Sequence, residues 1–441
     1  MKIPPVKGTR DFYPPDMAVR NWIIDGWKKV SLRNGFEEYD GPIFEYLKMF
    51  QIKSGDEIVE QLFSLKDRGG RDLALRPEIT PTLARMVNQQ ISSLPKPIKW
   101  FSVPRLFRAE RPQKGRLREF FQWNIDIISA GDSRADAEVI FTTVDYLRTA
   151  GLTPKDIKVK ISSRKLLTAA LRNFGVRTDD LSPLYALLDK KTKLPNDTFE
   201  KLLREQVGDE NIVKKVLEFM STGDINDVAK LVEGNFLDND IEQLNEVIVS
   251  LDQMGVEDYC VFDPSIVRGL AYYTGVVFEV HDTAGEFRAI CGGGRFDNLL
   301  NDFGGPSVPA TGMGMGDCVL EELLRKKELL TDNIQAAGLD YFVACAANLS
   351  THYDMRLVSE IRKRGFSAAF SYKTDVVRKY KEGDLSKQLE EAAALNARNC
   401  IIVGYNKPLN LTELIIKDMS TGEQILVDVD KFFAKLDTEL K

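Results

Sequence analysis

The sequence predicts an α+β protein in two parts. Residues 1–330 form a domain built on an antiparallel sheet, interrupted by a helical insertion over 152–260, and residues 335–441 form an α/β domain. Three observations carry this. Period-two patterns mark strands at 98–108, 119–129, 271–280, 286–292 and 308–316. A long run of helical patterns separates the first two from the rest. From 338 to 429, strands and helices alternate in the manner of an α/β unit.

In chain order, the first helix is expected from about Met17 to Arg33, with Val19, Trp22, Ile23, Gly26, Trp27 and Val30 on one stripe. Thr80 and Pro81 announce a second, threonine as N-cap and proline at the first helical position, with Leu83, Met86, Val87 and Ile91 on one face. The strands at 98–108 and 119–129 are joined by a charged loop, Ala109 to Arg118, of a length that often serves function. KLLTAALRNF, FEKLLREQ, NIVKKVLEFM and IEQLNEVIVSL make the insertion helical, and a charged helix follows near 317–329. In the last domain YFVACA, FSAAFSY, CIIVGY, LTELIIKD and EQILVDV are strands, while DMRLVSEIRKR and SKQLEEAAAL are helices. No internal repeat or low-complexity tract is present.

Composition excludes several classes. The chain has 441 residues, 43% hydrophobic and 29% charged, as in an ordinary globular protein. No run of about 18 apolar residues exists, so no membrane span is expected. The start MKIPPVKGTRDFYPPD lacks the apolar core of a signal peptide, and a cytoplasmic protein is expected. Cys260, Cys291, Cys318, Cys345 and Cys400 form no CxxC pair, so reduced thiols are expected rather than disulfides or a zinc site. A net charge of −6 argues against a uniformly basic surface but leaves room for a local basic patch. His281 and His352 are the only histidines, so no metal pair is spaced for ligation and attention moves to arginines and carboxylates.

In EFFQWNIDIIS (119–129), alternation puts Phe121, Trp123, Ile125 and Ile127 on a core side. Phe120, Gln122, Asn124 and Asp126 share the other side, either the wall of a polar pocket or a solvated strand face. Between Lys99 and Arg118 stand seven basic residues (Lys99, Arg105, Arg108, Arg111, Lys114, Arg116, Arg118) against one acid, Glu110. Arginine forks suit phosphate, so this hairpin binds a nucleotide triphosphate or nucleic-acid phosphates, or is simply a solvated basic loop. No GxxxxGK[ST] is present, which removes a P-loop. In PATGMGMGD (309–317), Gly312, Gly314 and Gly316 share one strand face, open to a flat ring or to a closely packed backbone.

These residues resemble a known family. FRAERPQKGRLREFFQ resembles motif 2 of class II aminoacyl-tRNA synthetases in its histidyl-tRNA synthetase version, and PATGMGMGD resembles motif 3. KGTRDFYP (7–14) resembles the family's N-terminus, and GFEEYDGPIFEYLKMF (35–50) resembles motif 1, with Pro42 at a dimer interface. LRPEITPTLAR (75–85), VRGLAYYTGVVFEV (267–280) and ICGGGRFDNLL (290–300) are similar to further family blocks. The resemblance implies a class II catalytic domain over 1–330 and an anticodon-binding domain over 335–441.

It also implies an activity: ATP, with Mg²⁺, activates L-histidine to the adenylate, and histidine then passes to the 3′ end of tRNA(His) on a homodimer. Arg108 and Arg268 would be catalytic, both beside the α-phosphate. Glu110, Arg116 and Phe120 would join Arg108 in binding ATP, and Glu78, Thr80, Gln122, Asp126, Tyr272 and Tyr273 would bind histidine. Gln113 and Lys114 would meet the tRNA acceptor end, and no protein-held metal is implied. Away from the resemblance, Thr80 is a helix cap and Arg268 a surface ion-pair partner.

Four differences from the family stand out, one of them spanning two positions. Motif 3 usually ends in Glu-Arg, its arginine covering adenine and reaching the γ-phosphate, but Cys318 and Val319 stand there. Asp126 replaces a common glutamate, Ala271 an aspartate and Phe296 a tyrosine. The motif 3 change raises a non-catalytic paralogue, of which the regulatory subunit of ATP phosphoribosyltransferase is the best known. That subunit typically lacks both the arginine block and the C-terminal domain, and this chain has Arg268 and residues 338–429.

Overall fold

A computed structural model describes residues 3–52, 62–191, 194–232, 238–268, 273–330, 334, 338–346, 352–372, 384–404 and 412–439. The chain divides into two compact units, Met1–Asn333 and Ile334–Lys441.

The first unit is organised by a nine-stranded sheet. Its strands are β1 (Glu37–Glu38), β5 (Ile98–Ser102), β6 (Arg105–Phe107), β7 (Glu119–Ile128), β8 (Ile157–Ser163), β9 (Cys260–Phe262), β10 (Val276–Asp282), β11 (Cys291–Arg295) and β12 (Ala310–Gly316). The order is β1-β5-β7-β12-β11-β10-β8-β9, with β6 also on β7. Pairing is antiparallel from β5 to β8, and the edge pairs β1·β5 and β8·β9 are parallel. A small antiparallel sheet of β2 (Phe44–Tyr46), β3 (Ser64–Lys66) and β4 (Asp72–Leu75) stands apart.

One face of the large sheet is dry. Trp123, Ile125, Met313, Met315, Cys291 and Phe278 pack there beneath α1 (Pro14–Arg33) and the helix Ser133–Thr149. Trp27 stacks on Trp123 at 6.2 Å, and the Trp123 indole donates to Ser31 Oγ at 2.8 Å, so its buried N–H is satisfied. The strand alternation expected over 119–129 therefore holds, and it turns the opposite face toward the site. Helix α1 starts at Pro14 rather than Met17, because two prolines fit the first turn, where amide hydrogens are unpaired anyway.

The insertion differs more from expectation. The helical stretch predicted from Leu152 opens instead with β8, whose IKVKISS alternation pairs with β10 along its whole length. The insertion helices run between Arg164 and Gln253, and Tyr259 closes a short 3₁₀ turn leading into β9. Helix α2 (Thr80–Gln90) carries a second correction: Ile79 is its N-cap, Thr80 its first residue, and no side chain caps it. Capping therefore does not account for the Thr80 hydroxyl.

The second unit holds a five-stranded sheet in the order β14-β13-β15-β16-β17 (Ala368–Phe370, Tyr341–Cys345, Asn399–Val403, Glu413–Asp418, Gln424–Asp428). The first three strands are parallel and the last two antiparallel, a mixed sheet. It packs against helices Tyr353–Lys363 and Asp384–Ala394, and against a C-terminal helix, Val429–Glu439, that the strand pattern did not announce.

Candidate active site

Four strands supply the floor of the site, and register decides what they place side by side. Asp126 faces Gly312, Asn124 faces Gly314 and Gln122 faces Gly316 across β7·β12. Gly312 and Gly314 face Gly294 and Gly292 across β12·β11, and Gly292 faces Glu279 on β10. A band of glycines thus separates polar side chains on β7 from those on β10. Their bareness is required. A Cβ at Gly312 would collide with Asp126 Oδ1, one at Gly314 would lie 3.0 Å from Gln122 Nε2, and one at Gly292 would lie 2.6 Å from Arg268 Nη1.

Arg268 lies over this floor in the left-handed backbone region, φ 60°, which costs a non-glycine residue of the order of 1 kcal/mol. Its Nη1 donates to Glu279 Oε1 at 2.7 Å, and His281 Nε2 donates to the other Glu279 oxygen at 2.9 Å. Burial disfavours charge on Glu279, but the hydrogen bond from His281 and the charge of Arg268 hold its pKa down at about 2. Burial likewise opposes charge on Arg268, and Tyr273 and Glu279 outweigh it and raise its pKa. The guanidinium lies 5.6 Å from the Tyr273 ring, and its buried Nε has no partner among the described residues. Arg268 is thus paired, as an isolated arginine would be, but on the inner face of the sheet.

Across the glycines the basic hairpin contributes the opposite wall. Arg108 lies 5.0 Å from the Phe120 ring, and its Nε donates to the Pro77 carbonyl at 3.1 Å. That contact brings it beside Glu78, whose buried Oε1 lacks a partner among the described residues. Arg116 donates to Glu110 at 2.6 Å. Gln113 and Arg116 close the hairpin tip through two backbone hydrogen bonds, with Gly115 at φ 68°, and leave Gln113 and Lys114 exposed.

The expected residues Arg108, Phe120, Glu110, Arg116, Gln122, Asp126, Arg268 and Tyr273 therefore share the sheet face or the hairpin beside it. Glu78 and Thr80 lie at the start of α2, Gln113 and Lys114 at the loop tip, and Tyr272 and Ala271 lie outside the described residues.

Several participants escaped the sequence reading. Glu279 is one; an acid on the mostly apolar strand VVFEV was its available signal. Tyr39 is another. Its buried hydroxyl has no partner among the described residues, its ring lies 5.6 Å from Trp100, and burial and then the charge of Asp126 raise its pKa well above the tyrosine value. Arg76, 2% exposed, ties the segment before α2 to Asp40 and to the carbonyls of Gly41 and Arg105. Asp317 accepts from Arg10 at 2.5 Å and from the Phe121 amide at 3.0 Å, locking β7 to the N-terminal segment.

An antiparallel sheet carrying a basic hairpin and a glycine strand is the architecture expected of a class II aminoacyl-tRNA ligase, and this chain has it. A family model described as Histidyl-tRNA synthetase matches residues 8–316, and the chain belongs to that family. The chain is 38% identical to the histidine–tRNA ligase, chloroplastic/mitochondrial, of Arabidopsis thaliana over 429 residues, 96% of this chain and 84% of that one. It is 38% identical to the histidine–tRNA ligase of Pyrococcus abyssi over 438 residues, 98% of both. The histidyl-tRNA synthetase of Nostoc sp. PCC 7120 superposes with a TM-score of 0.79 at 21% identity, each chain fully covered, which is a likeness of fold.

Proposed function

We propose that this chain activates L-histidine with ATP, forming histidyl-adenylate and pyrophosphate, and then transfers histidine to the 3′ end of tRNA(His) for protein synthesis in the cytoplasm. One observation carries this reading: two arginines, Arg108 and Arg268, flank a side-chain-free floor that ends in the buried carboxylate of Asp126.

The chemistry follows from charge. The histidine carboxylate is already ionised and needs no enzyme base to attack the α-phosphorus. The cost lies in the charge gathering on the phosphate oxygens, which Arg108 and Arg268 offset from fixed positions. Each preorganised cation of this kind is worth roughly 3–4 kcal/mol, and holding both substrates in line supplies much of the rest. Phe120 stacks on adenine. Glu110 turns to adenine when Arg116 leaves it for the triphosphate. The terminal ribose hydroxyl of tRNA then attacks the adenylate carbonyl and AMP leaves.

Mg²⁺ enters with ATP. Among the described residues no group of three His, Cys, Asp or Glu side chains gathers to hold a metal, and this ion is commonly held by substrate phosphates with one or two carboxylates. It would add charge neutralisation on the phosphates.

Histidine is selected at the other end of the floor. Neutral imidazole has one donor and one acceptor, which Asp126 and Tyr273 answer, while Glu78, Thr80 and Gln122 hold the α-ammonium. The partnerless Glu78 oxygen supports a cationic ligand there, because a buried lone carboxylate oxygen is costly. Gln113 and Lys114 meet the tRNA acceptor end, and the unit Ile334–Lys441 reads the anticodon, where unstacked bases are accessible.

The reading includes a homodimer formed around Pro42. Phe44, Tyr46 and Leu65 on the small sheet, and Ile43 just before it, are exposed apolar side chains, a patch a monomer ordinarily keeps covered. No described helix is long and apolar enough to cross a membrane.

The test is histidine-dependent ATP–pyrophosphate exchange with all twenty amino acids. Exchange with histidine alone is expected. None with any amino acid would leave a tRNA-sensing protein that kept the fold, and exchange with another amino acid would leave a different ligase.

A further inference from the structure

Arg295 is the last residue of the glycine strand β11. Alternation turns Gly292 and Gly294 toward the site and Arg295 toward the other face, where it is 6% exposed. A buried guanidinium has five N–H groups to satisfy. Nε and Nη2 donate to Asp136 Oδ2 at 2.9 and 2.7 Å. Nη1 donates to the Ala130 carbonyl at 3.1 Å and, more weakly, to Asp297 Oδ1 at 3.5 Å, and Nη2 reaches the Asp132 carbonyl at 3.1 Å. Asp136, 4% exposed, stands in the first turn of the helix Ser133–Thr149.

These bonds reach two segments that border the site. Ala130 follows β7, the strand of Asp126. On the other side the Thr274 amide donates to the Arg295 carbonyl at 2.8 Å. Thr274 Oγ1 donates to Asp297 Oδ2 at 3.0 Å and accepts the Asp297 amide at 3.1 Å. A Cβ on Gly275 would lie 3.0 Å from Arg295 Cδ, so the chain passes against the arginine stem. Thr274 directly follows Tyr273, whose Cδ1 lies 3.0 Å from where a Cβ on Gly294 would stand. Register sets Asp126, Gly312 and Gly294 in one cross-strand row. Asp126 therefore stands at one end of that row and the Tyr273 ring lies against the other, and one guanidinium ties both of their chain segments from behind.

We propose that Arg295, locked by Asp136, is a positioning residue for the substrate side chain: it sets the spacing between Asp126 and Tyr273 and so the fit of imidazole between them. The role rests on the histidine-binding reading of those two residues. A buried ion pair adds little net stability, because desolvation offsets the attraction and an apolar pair of similar volume is often as stable. What such a pair does provide is direction. The planar fork fixes three backbone segments at once, which neither a lysine nor an apolar side chain can do.

The test compares the full-length wild type with the double variant Arg295→Met, Asp136→Leu and with Arg295→Lys, by thermal unfolding and by the histidine and ATP KM values in ATP–pyrophosphate exchange. The double variant removes both charges together, so it should unfold near the wild-type temperature. Its histidine KM should nevertheless rise roughly 10- to 100-fold, the scale of a misplaced binding group, with the ATP KM unchanged. Arg295→Lys keeps a charge beside Asp136 without the fork and should show a smaller rise. A merely structural pair would leave the histidine KM alone once the protein is folded, so a folded double variant with the wild-type histidine KM overturns the proposal. Equal rises in the histidine and ATP KM values overturn it too, since the whole sheet would then have shifted. If the double variant does not fold, Arg295→Lys decides by the same measure: a raised histidine KM alone supports the role and an unchanged one overturns it. A wild type without histidine-dependent exchange removes the proposed activity and this role with it, whereas normal exchange in the wild type with unaltered variants removes only the role of Arg295.

Discussion

Arg268→Ala is expected to bring histidine-dependent ATP–pyrophosphate exchange close to background while sedimentation stays that of the wild type. The loss expected for one preorganised cation at the reacting phosphate is about 10²- to 10³-fold in kcat, with the ATP KM little altered. The variant leaves the apolar core of the dry face untouched, because Arg268 lies over Gly292 on the opposite face of the sheet. It does release Glu279, so a control belongs beside it. Glu279→Gln keeps the shape and removes the charge that orients Arg268 at 2.7 Å. A smaller fall, about tenfold in kcat, is expected, and in the Arg268→Ala background Glu279→Gln should do almost nothing further, since residues acting through one another are not additive. Exchange by Arg268→Ala near the wild-type rate would return the residue to a plain ion pair.

Asp126→Asn acts on the other substrate. The carboxylate is 3% exposed, with the Gly312 backbone against it and Tyr39 within reach of its charge. Asparagine keeps the volume but loses the charge and offers one acceptor oxygen in place of two. A charged hydrogen bond to a buried partner is worth about 1.5–3 kcal/mol, so the histidine KM should rise roughly 10- to 150-fold. The ATP KM should hold, because the triphosphate cations lie at the far end of the glycine floor. A variant whose histidine KM matches the wild type would move imidazole recognition elsewhere, with Tyr39 the first residue to examine. The aspartate is also shorter than the glutamate common at this position, and Tyr39 lies close enough for the Asp126 charge to act on it.

The sheet face was legible where one strand decides it. Phe120, Gln122 and Asp126 against Phe121, Trp123 and Ile125 follow from alternation alone, and the same rule put Gly312 and Gly314 opposite Met313 and Met315. Residues that act across strands were not legible. Glu279 faces Gly292, over which Arg268 lies, because β10 pairs with β11 in one register, and Asp126 meets Gly312 because β7 and β12, far apart in sequence, pair in another. No local pattern reports a register set by long-range pairing. β8 was missed because seven residues of alternation stand at the edge of a long helical stretch, where its partner, β10, arrives only after the insertion. The misplaced cap at Thr80 has a local cause: Pro81 is acceptable at either of the first two helical positions, since neither amide has an intrahelical partner.

Aminoacylation of total tRNA tests the central claim most directly. Purified chain is incubated with ATP, Mg²⁺, total tRNA and each labelled amino acid, and the charged tRNA is isolated and identified. Histidine alone should be attached, to tRNA(His), with charging that falls steeply as salt rises, because phosphate contacts hold the tRNA. Attachment of a different amino acid, or no charging with any amino acid by a protein that binds ATP, would contradict the account.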